Sequence, residues 1–435
     1  MLGTQLSEIA IPVIAVLLLR VSPFEVALLG TFQFLPFLLF TLPAGVWVDR
    51  LPRRLILVSG DLGRGLLLAT IPVAYALGAL TIWQLYTVAF ANGVLTVFFD
   101  IADQSYLPTV VERDRLVDGN AKLQASASAA LVVGQPLGGS IVALLSAPFA
   151  LVLDAISYVA SALLIFTIRR PEPAAGGAPA GGGGTAPGGL AAAELADAPS
   201  IGASVAAETA ASNAASGPPG QVRESLRAEV AEGLRFVLRH RYLRSIAATT
   251  GSSNLFGNIA FAILPVFFYR DLTLTPEVVG LIGGGFGAGA LAGALTASRI
   301  AERLGIGPTI IGSIATAAVA GLLVPLASHQ TALLFIGGGG FVAGWANVVY
   351  NVNQISLRQS ICPERMLGRM NATMRFIVWG TIPIGQVIGG LTATLFGTLA
   401  AVWIGTIGGL FAFLPVLLSP VRSLRTIPDP EPEPR

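Results

Sequence analysis

The sequence predicts an all-α polytopic membrane protein with about twelve transmembrane helices. Three observations carry that prediction: a scarcity of charge, a series of apolar runs of spanning length, and arginines that recur after every second run. Of 435 residues, 54% are hydrophobic and 11% are charged, and mean hydropathy is +0.74. A soluble domain is roughly a quarter charged. Too few polar side chains remain to cover a water-facing surface of this size.

Crossing the hydrocarbon core takes about 20 mostly apolar helical residues. Candidate spans are 1–19, 24–47, 55–80, 83–107, 120–147 and 149–168, then 245–269, 277–299, 308–327, 331–356, 371–396 and 399–418. They form two six-helix bundles. The first span starts at Met1 without a basic arm or a cleavable signal pattern, and carries Gly3, Gln5 and Glu8 early. That leaves open a natural start upstream of Met1.

Short cytoplasmic loops collect arginine and lysine. Arg50, Arg53 and Arg54 follow span two, and Arg113, Arg115 and Lys122 surround the start of span five. Arg169 and Arg170 follow span six, Arg299 and Arg303 follow span eight, and Arg358, Arg365 and Arg369 follow span ten; the opposite turns hold only Arg20 and Arg270. The alternation puts both termini in the cytoplasm and the protein in the plasma membrane, a bacterial inner membrane being expected.

The expected domains are an N-terminal bundle at 1–170, a disordered cytoplasmic linker at 171–221, an amphipathic helix at 222–244, a C-terminal bundle at 245–420 and a tail at 421–435. The linker is Ala, Gly, Pro and Ser without an aromatic residue, a composition that buries too little apolar area to offset its ordering entropy. In the helix after it, Val222, Leu226, Val230, Leu234 and Val237 recur at helical spacing among arginines and glutamates. That pattern suits a helix lying along the membrane surface.

The halves echo one another. Gly134-Gln-Pro-Leu-Gly-Gly139 returns as Gly385-Gln-Val-Ile-Gly-Gly390, and Asn120-Ala121 returns as Asn371-Ala372, both at an offset of 251 residues. Phe24-Glu-Val matches Pro276-Glu-Val at an offset of 252. Duplicated halves are the sequence sign of a transporter whose substrate site lies between the repeats.

Other classes fit poorly. Net charge is +2 and the arginines are scattered, which argues against nucleic acid. Cys362, His240 and His329 are the only cysteine and histidines, so no metal or cofactor is expected. Neither paired ligands nor a nucleophile with a base is visible for intramembrane catalysis. Lys122 is the only lysine, and without a phosphate-cradling loop ATP drive within this chain is excluded. A sensor or scaffold remains an alternative class.

The loop Gly45-Val-Trp-Val-Asp49-Arg50-Leu51-Pro52-Arg53-Arg54 resembles the cytoplasmic loop between spans two and three of the major facilitator superfamily, with Pro52 in place of a glycine. The resemblance implies that Asp49 and Arg50 latch the bundles near Arg369 and Asn371. Arg53 and Arg54 would join this gate or serve only as topological anchors. Gly134, Pro136, Gly138 and Gly139 resemble an antiporter motif, with Gln135 where its proline usually stands. These glycines also suit plain helix packing. The run Leu35 to Gly45, Asp61-Leu-Gly-Arg64 and Asp100 to Pro108 are similar to the drug-exporter branch that includes macrolide efflux pumps and the enterobactin exporter. One departure concerns proton handling: Ala89 stands where many antiporters carry an arginine.

Ionisable residues inside spans are expensive and usually functional. Asp61 and Arg64, three apart, form an intramembrane pair by spacing. Glu8, Asp154, Asp100 and Asp103 are the proton-coupling candidates. Asn254 and Asn258, with Asn347, Asn351 and Gln354, line helical stripes that either face a substrate cavity or tie helices together. The expectation is a monomeric, proton-driven exporter of amphipathic small molecules; metabolite uptake and lysolipid transport are the alternatives within the same fold.

Overall fold

The structure is a computed structural model that describes residues 2–48, 51–110, 116–167 and 226–426. The expected linker at 171–221, the tail beyond 426, and Asp49 and Arg50 lie outside the described residues. Among those residues the chain is helical and contains no strand.

The first half supplies α1 (Leu2–Val13), α2 (Pro23–Val48), α3 (Arg53–Ala76), α4 (Ile82–Val110), α5 (Leu116–Leu145) and α6 (Ala147–Thr167). A helix α7 (Leu226–Arg239) precedes the second half, α8 (Leu243–Phe261), α9 (Pro276–Leu304), α10 (Ile306–Gly321), α11 (Gly339–Ile361), α12 (Glu364–Phe396) and α13 (Thr398–Leu410). Among the described residues nine helices are long and apolar enough to cross a bilayer, and the shorter apolar helices Gly3–Leu18, Ala129–Leu145 and Ile306–Gly321 fall where the other three of the expected spans lie. Leucines such as Leu66, Leu144 and Leu164 point outward because their solvent is lipid.

Two compact units emerge. One holds α1, α2 from Leu29 onward, α3 to α6 and residues 275–280; the other holds residues 22–28, α7, α8 and everything from 281 onward. In the first, α1 packs on α5 and α6, and α3 on α4 and α6, while α5 touches α6. The second repeats these pairings with α8, α10, α11, α12 and α13 in the places of α1, α3, α4, α5 and α6.

The repeat extends to turn geometry. Helix α1 runs on through a π-helical turn, Ile14–Leu18, and the chain after α8 passes through a short helix, Leu264–Val266, into another π-helical turn, Phe267–Asp271. Each is closed by the same bond, from Leu19 N–H to Ile14 O and from Leu272 N–H to Phe267 O, both 2.9 Å. Arg20 and Thr273 then adopt left-handed φ values of 51° and 52°. The corner between α5 and α6 is left-handed at Ser146 (φ 65°), and its counterpart before α13 at Gly397 (φ 90°).

Helices overrun the expected spans because helical propensity does not stop at the hydrocarbon boundary. Thus α12 begins at Glu364 rather than near 371, and α11 continues to Ile361. Arg358, expected in a loop, lies in the last turn of α11 and is 1% exposed. Nor does the inner face of α7 lie on lipid: Val237 is fully buried in a cluster with Leu357, Met366 and Met370.

A Cβ on Gly397 would meet nothing within 4 Å, so only its backbone conformation resists substitution. We expect Gly397→Ala to lower stability by about 1 kcal/mol, and Ser146→Gly to leave it unchanged or raise it. Thermal unfolding of the detergent-solubilised protein checks this; equal losses in both variants would remove φ as the cause.

Candidate functional site

Helix α1 carries two polar stripes. Toward α6, Ser7 Oγ donates to Asp154 Oδ2, and Ser157 Oγ donates to Asp154 Oδ1 at 3.1 Å. Thr4 Oγ1 lies 3.4 Å from Tyr158 OH. Gly3 makes room, since a Cβ there would collide with the Asp154 carboxylate and the Ser157 hydroxyl. Asp154 is fully buried, and these hydroxyls satisfy it locally.

Toward α5, Gln135 Nε2 donates to Gln5 Oε1 at 2.7 Å and to Glu8 Oε2 at 2.9 Å. Glu8 itself is exposed. Gly138 lets α1 approach, a Cβ there lying 3.4 Å from Gln5 O and 3.3 Å from Leu6 Cα. The glutamine in place of the motif's proline thus has a hydrogen-bonding job. Pro136 sits inside α5, and Gly134 is buried beside it.

Both glycine hexapeptides also touch the other sequence echo. In the first unit, Gly139 abuts the backbone of Pro276 and Glu277; in the second, Gly390 abuts Phe24 and Ala27. A Cβ at either glycine would collide with those residues.

Asp61 and Arg64 are an ion pair on α3, with exposures of 1% and 6%. The guanidinium also lies 4.0 Å from the Phe99 ring centroid and 4.8 Å from that of Tyr158. Cation–π contact of this kind offsets part of the cost of desolvating the charge. On α4, Asp100 is half-buried and Asp103 exposed. At the start of α3, Arg54 donates to Phe166 O and lies over its ring at 5.0 Å. Arg53 opens the same helix, and Gly45 lies within α2.

The amide stripes of the second half turn largely to their own helices. Asn254 donates to Thr250 O at 2.9 Å, and Asn258 to Asn254 O at 2.8 Å. Asn351 donates to Asn347 O and Oδ1. Buried acceptors nonetheless remain on Asn258 and Gln354, neither with a partner among the described residues. Asn347 is exposed.

Sequence reasoning missed the buried bond between Thr250 Oγ1 and Tyr350 OH, 2.7 Å long, and the fully interior Gln386. Isolated hydroxyls and amides in apolar runs carry no periodic signal, although Gln386 was legible as the repeat partner of Gln135. Cys362, just past α11, is buried. Burial pushes its thiol up to about 12, and Arg358 offsets this only in part. No three His, Cys, Asp or Glu side chains among the described residues are grouped to hold a metal.

Removing one partner of a buried pair strands the other, at about 3–5 kcal/mol. Arg64→Leu should therefore abolish the yield of monodisperse protein, and Asp61→Asn combined with Arg64→Gln should restore much of it. A double variant as poor as Arg64→Leu would show that the arginine acts through packing instead.

The Major Facilitator Superfamily model matches residues 1–261 and again 246–435. Over 393 residues the chain is 21% identical to a Bacillus subtilis (strain 168) protein described as an uncharacterized MFS-type transporter, YvqJ, with 90% of this chain and 83% of the relative covered. A second from the same organism, the uncharacterized MFS-type transporter YfiS, is 24% identical over 178 residues, 39% of each chain. Among solved structures, a bacterial homologue of the iron transporter ferroportin in its inward-facing state superposes with TM-score 0.64 at 15% identity, over 97% of this chain and 96% of that one. That likeness is one of fold. With both halves matched, and helix pairings repeated between them, the chain belongs to the Major Facilitator Superfamily of membrane transporters.

Proposed function

We propose that this transporter exports amphipathic small molecules by alternating access, driven by protons. The observation that supports this most is Glu8, an exposed carboxylate inside an apolar membrane helix, which accepts from Gln135, a side chain that also donates to Gln5. A carboxylate at such a place costs several kcal/mol unless paired, hydrated or neutralised. Protonation and release at Glu8 would couple the proton to movement of α1, with Asp154 on the helix's other side as the second carrier. Asp100 and Asp103 are further candidates toward the cytoplasmic end of α4.

Cargo would meet the amides of the second half, Asn254, Asn258, Asn347, Asn351 and Gln354, with the buried acceptors of Asn258 and Gln354 available to donors on a substrate. The cytoplasmic gate would be built from Asp49, Arg50, Arg53 and Arg54 on a loop given its approach by Gly45. Export rather than uptake is supported by the antiporter-like Gly134, Pro136, Gly138 and Gly139 and by the drug-exporter resemblance. The chain would act as a monomer in a bacterial inner membrane, both termini inside.

A susceptibility screen of a deletion strain against its complement identifies the cargo; Fe2+ belongs in it, because the structural neighbour is a homologue of an iron transporter. With a transported compound in hand, Glu8→Gln should abolish gradient-driven accumulation in inverted vesicles while leaving binding intact. Accumulation at the wild-type rate would remove Glu8 as the coupling group.

A further inference from the structure

Helix α7 has two faces, and among the described residues one of them packs on protein. On the inner face Glu232 pairs with Arg369 of α12. Gly233 fits so closely that a Cβ would stand 2.6 Å from Thr373 Oγ1 and 2.7 Å from Arg369 O. Val237 is fully buried. The joint to α8 is set by His240, whose Nδ1 accepts from the N–H groups of Tyr242 (3.3 Å) and Leu243 (3.4 Å). Leu243 opens a membrane span, so α7 is held within one turn of the bilayer boundary.

The outer face is apolar and cationic together. Leu234 and Leu238 are 40% and 55% exposed, one helical turn apart. Arg235 and Arg239 repeat that spacing one residue on, and Arg241 and Arg244 follow; all four are exposed. Between 232 and 244 the only acidic residue is Glu232, and its carboxylate is directed to Arg369.

We infer that the outer face of α7 is a binding site for anionic phospholipid of the cytoplasmic leaflet, an inference that rests on the inside-facing orientation proposed above. Guanidinium groups take phosphate oxygens in bidentate fashion. Clustered arginines at the edge of a span draw anionic headgroups, and the leucines reach the acyl boundary. A soluble polyanion would make no use of the leucines. Because the same helix grips α12, the bound leaflet holds the cytoplasmic end of that span.

The test is lipid retention by the full-length protein in detergent, read by native mass spectrometry, with phosphatidylglycerol and phosphatidylcholine of equal acyl chains as probes. This readout does not depend on transport, so it stands or falls apart from the proton-coupling reading. Phosphatidylglycerol should be retained about tenfold more tightly. That preference should collapse near 1 M salt, where the Debye length is about 3 Å. The variant R235Q/R239Q/R241Q/R244Q should bind both lipids alike, and R235Q/R239Q serves should the quadruple variant fail to fold. Equal retention of the two lipids by the wild type, or a wild-type preference in a folded arginine variant, would overturn the site. So would displacement of phosphatidylglycerol by inorganic phosphate beyond that by chloride at equal ionic strength, which would place recognition in phosphate alone.

Discussion

Inside a bilayer an apolar side chain gains nothing by leaving lipid for protein, so helices must recognise one another by close backbone approach and a few polar bonds. Everything specific in this fold follows from that constraint. Helix α1 finds α6 through Gly3, Ser7 and the Asp154 carboxylate, and finds α5 through Gly138 and Gln135. In the second unit α9 and α11 meet at Gly289, Gly293 and Gly344, and Trp345 Nε1 donates to Thr296 Oγ1 at 2.9 Å across the same seam. Helices α8 and α12 meet at Gly385 and Gly389. Stripped of these contacts, each helix would be an apolar cylinder with no preferred neighbour.

The two halves preserve scaffold and part in chemistry. Helix pairings, π-helical turns and left-handed corners recur, down to Arg20 and Thr273. Acidic residues do not. The first six expected spans hold Glu8, Glu25, Asp61, Asp100, Asp103 and Asp154, whereas the last six hold only Glu277, at the mouth of α9, with Glu302 and Glu364 near helix ends outside them. In their place stand amides and hydroxyls. On the proposed function, duplication fixed the frame while protons and cargo settled on different sides of it.

Much of this frame was legible from the residues. Apolar length and arginine alternation gave the spans, and the two hexapeptides gave the repeat, because both signals follow from bilayer thickness and copying. The Asp61–Arg64 pair was readable from spacing alone, since three residues on a helix share one face. Harder to read were bonds between helices far apart in the chain: Ser7 with Asp154, Gln135 with Glu8, Thr250 with Tyr350. No local pattern encodes them. Arg358 departs from its expected loop for a related reason: a charge commonly marks a loop, whereas here a helix end packed among its neighbours buries it. The roles of the stripe amides were left open by periodicity, and their bonds to their own backbone account for only part of their hydrogen-bonding capacity.

Cys362 carries a consequence of a different kind. It is the only thiol in the chain, it is buried, and with ionisation pushed up to about 12 it holds almost no thiolate at neutral pH. Maleimides and methanethiosulfonates react through the thiolate, so the natural protein should behave toward them as a cysteine-free background. A fluorophore or spin label on a thiol introduced at α7, or at the mouth of either bundle, would then report from that place alone, without first rebuilding the sequence.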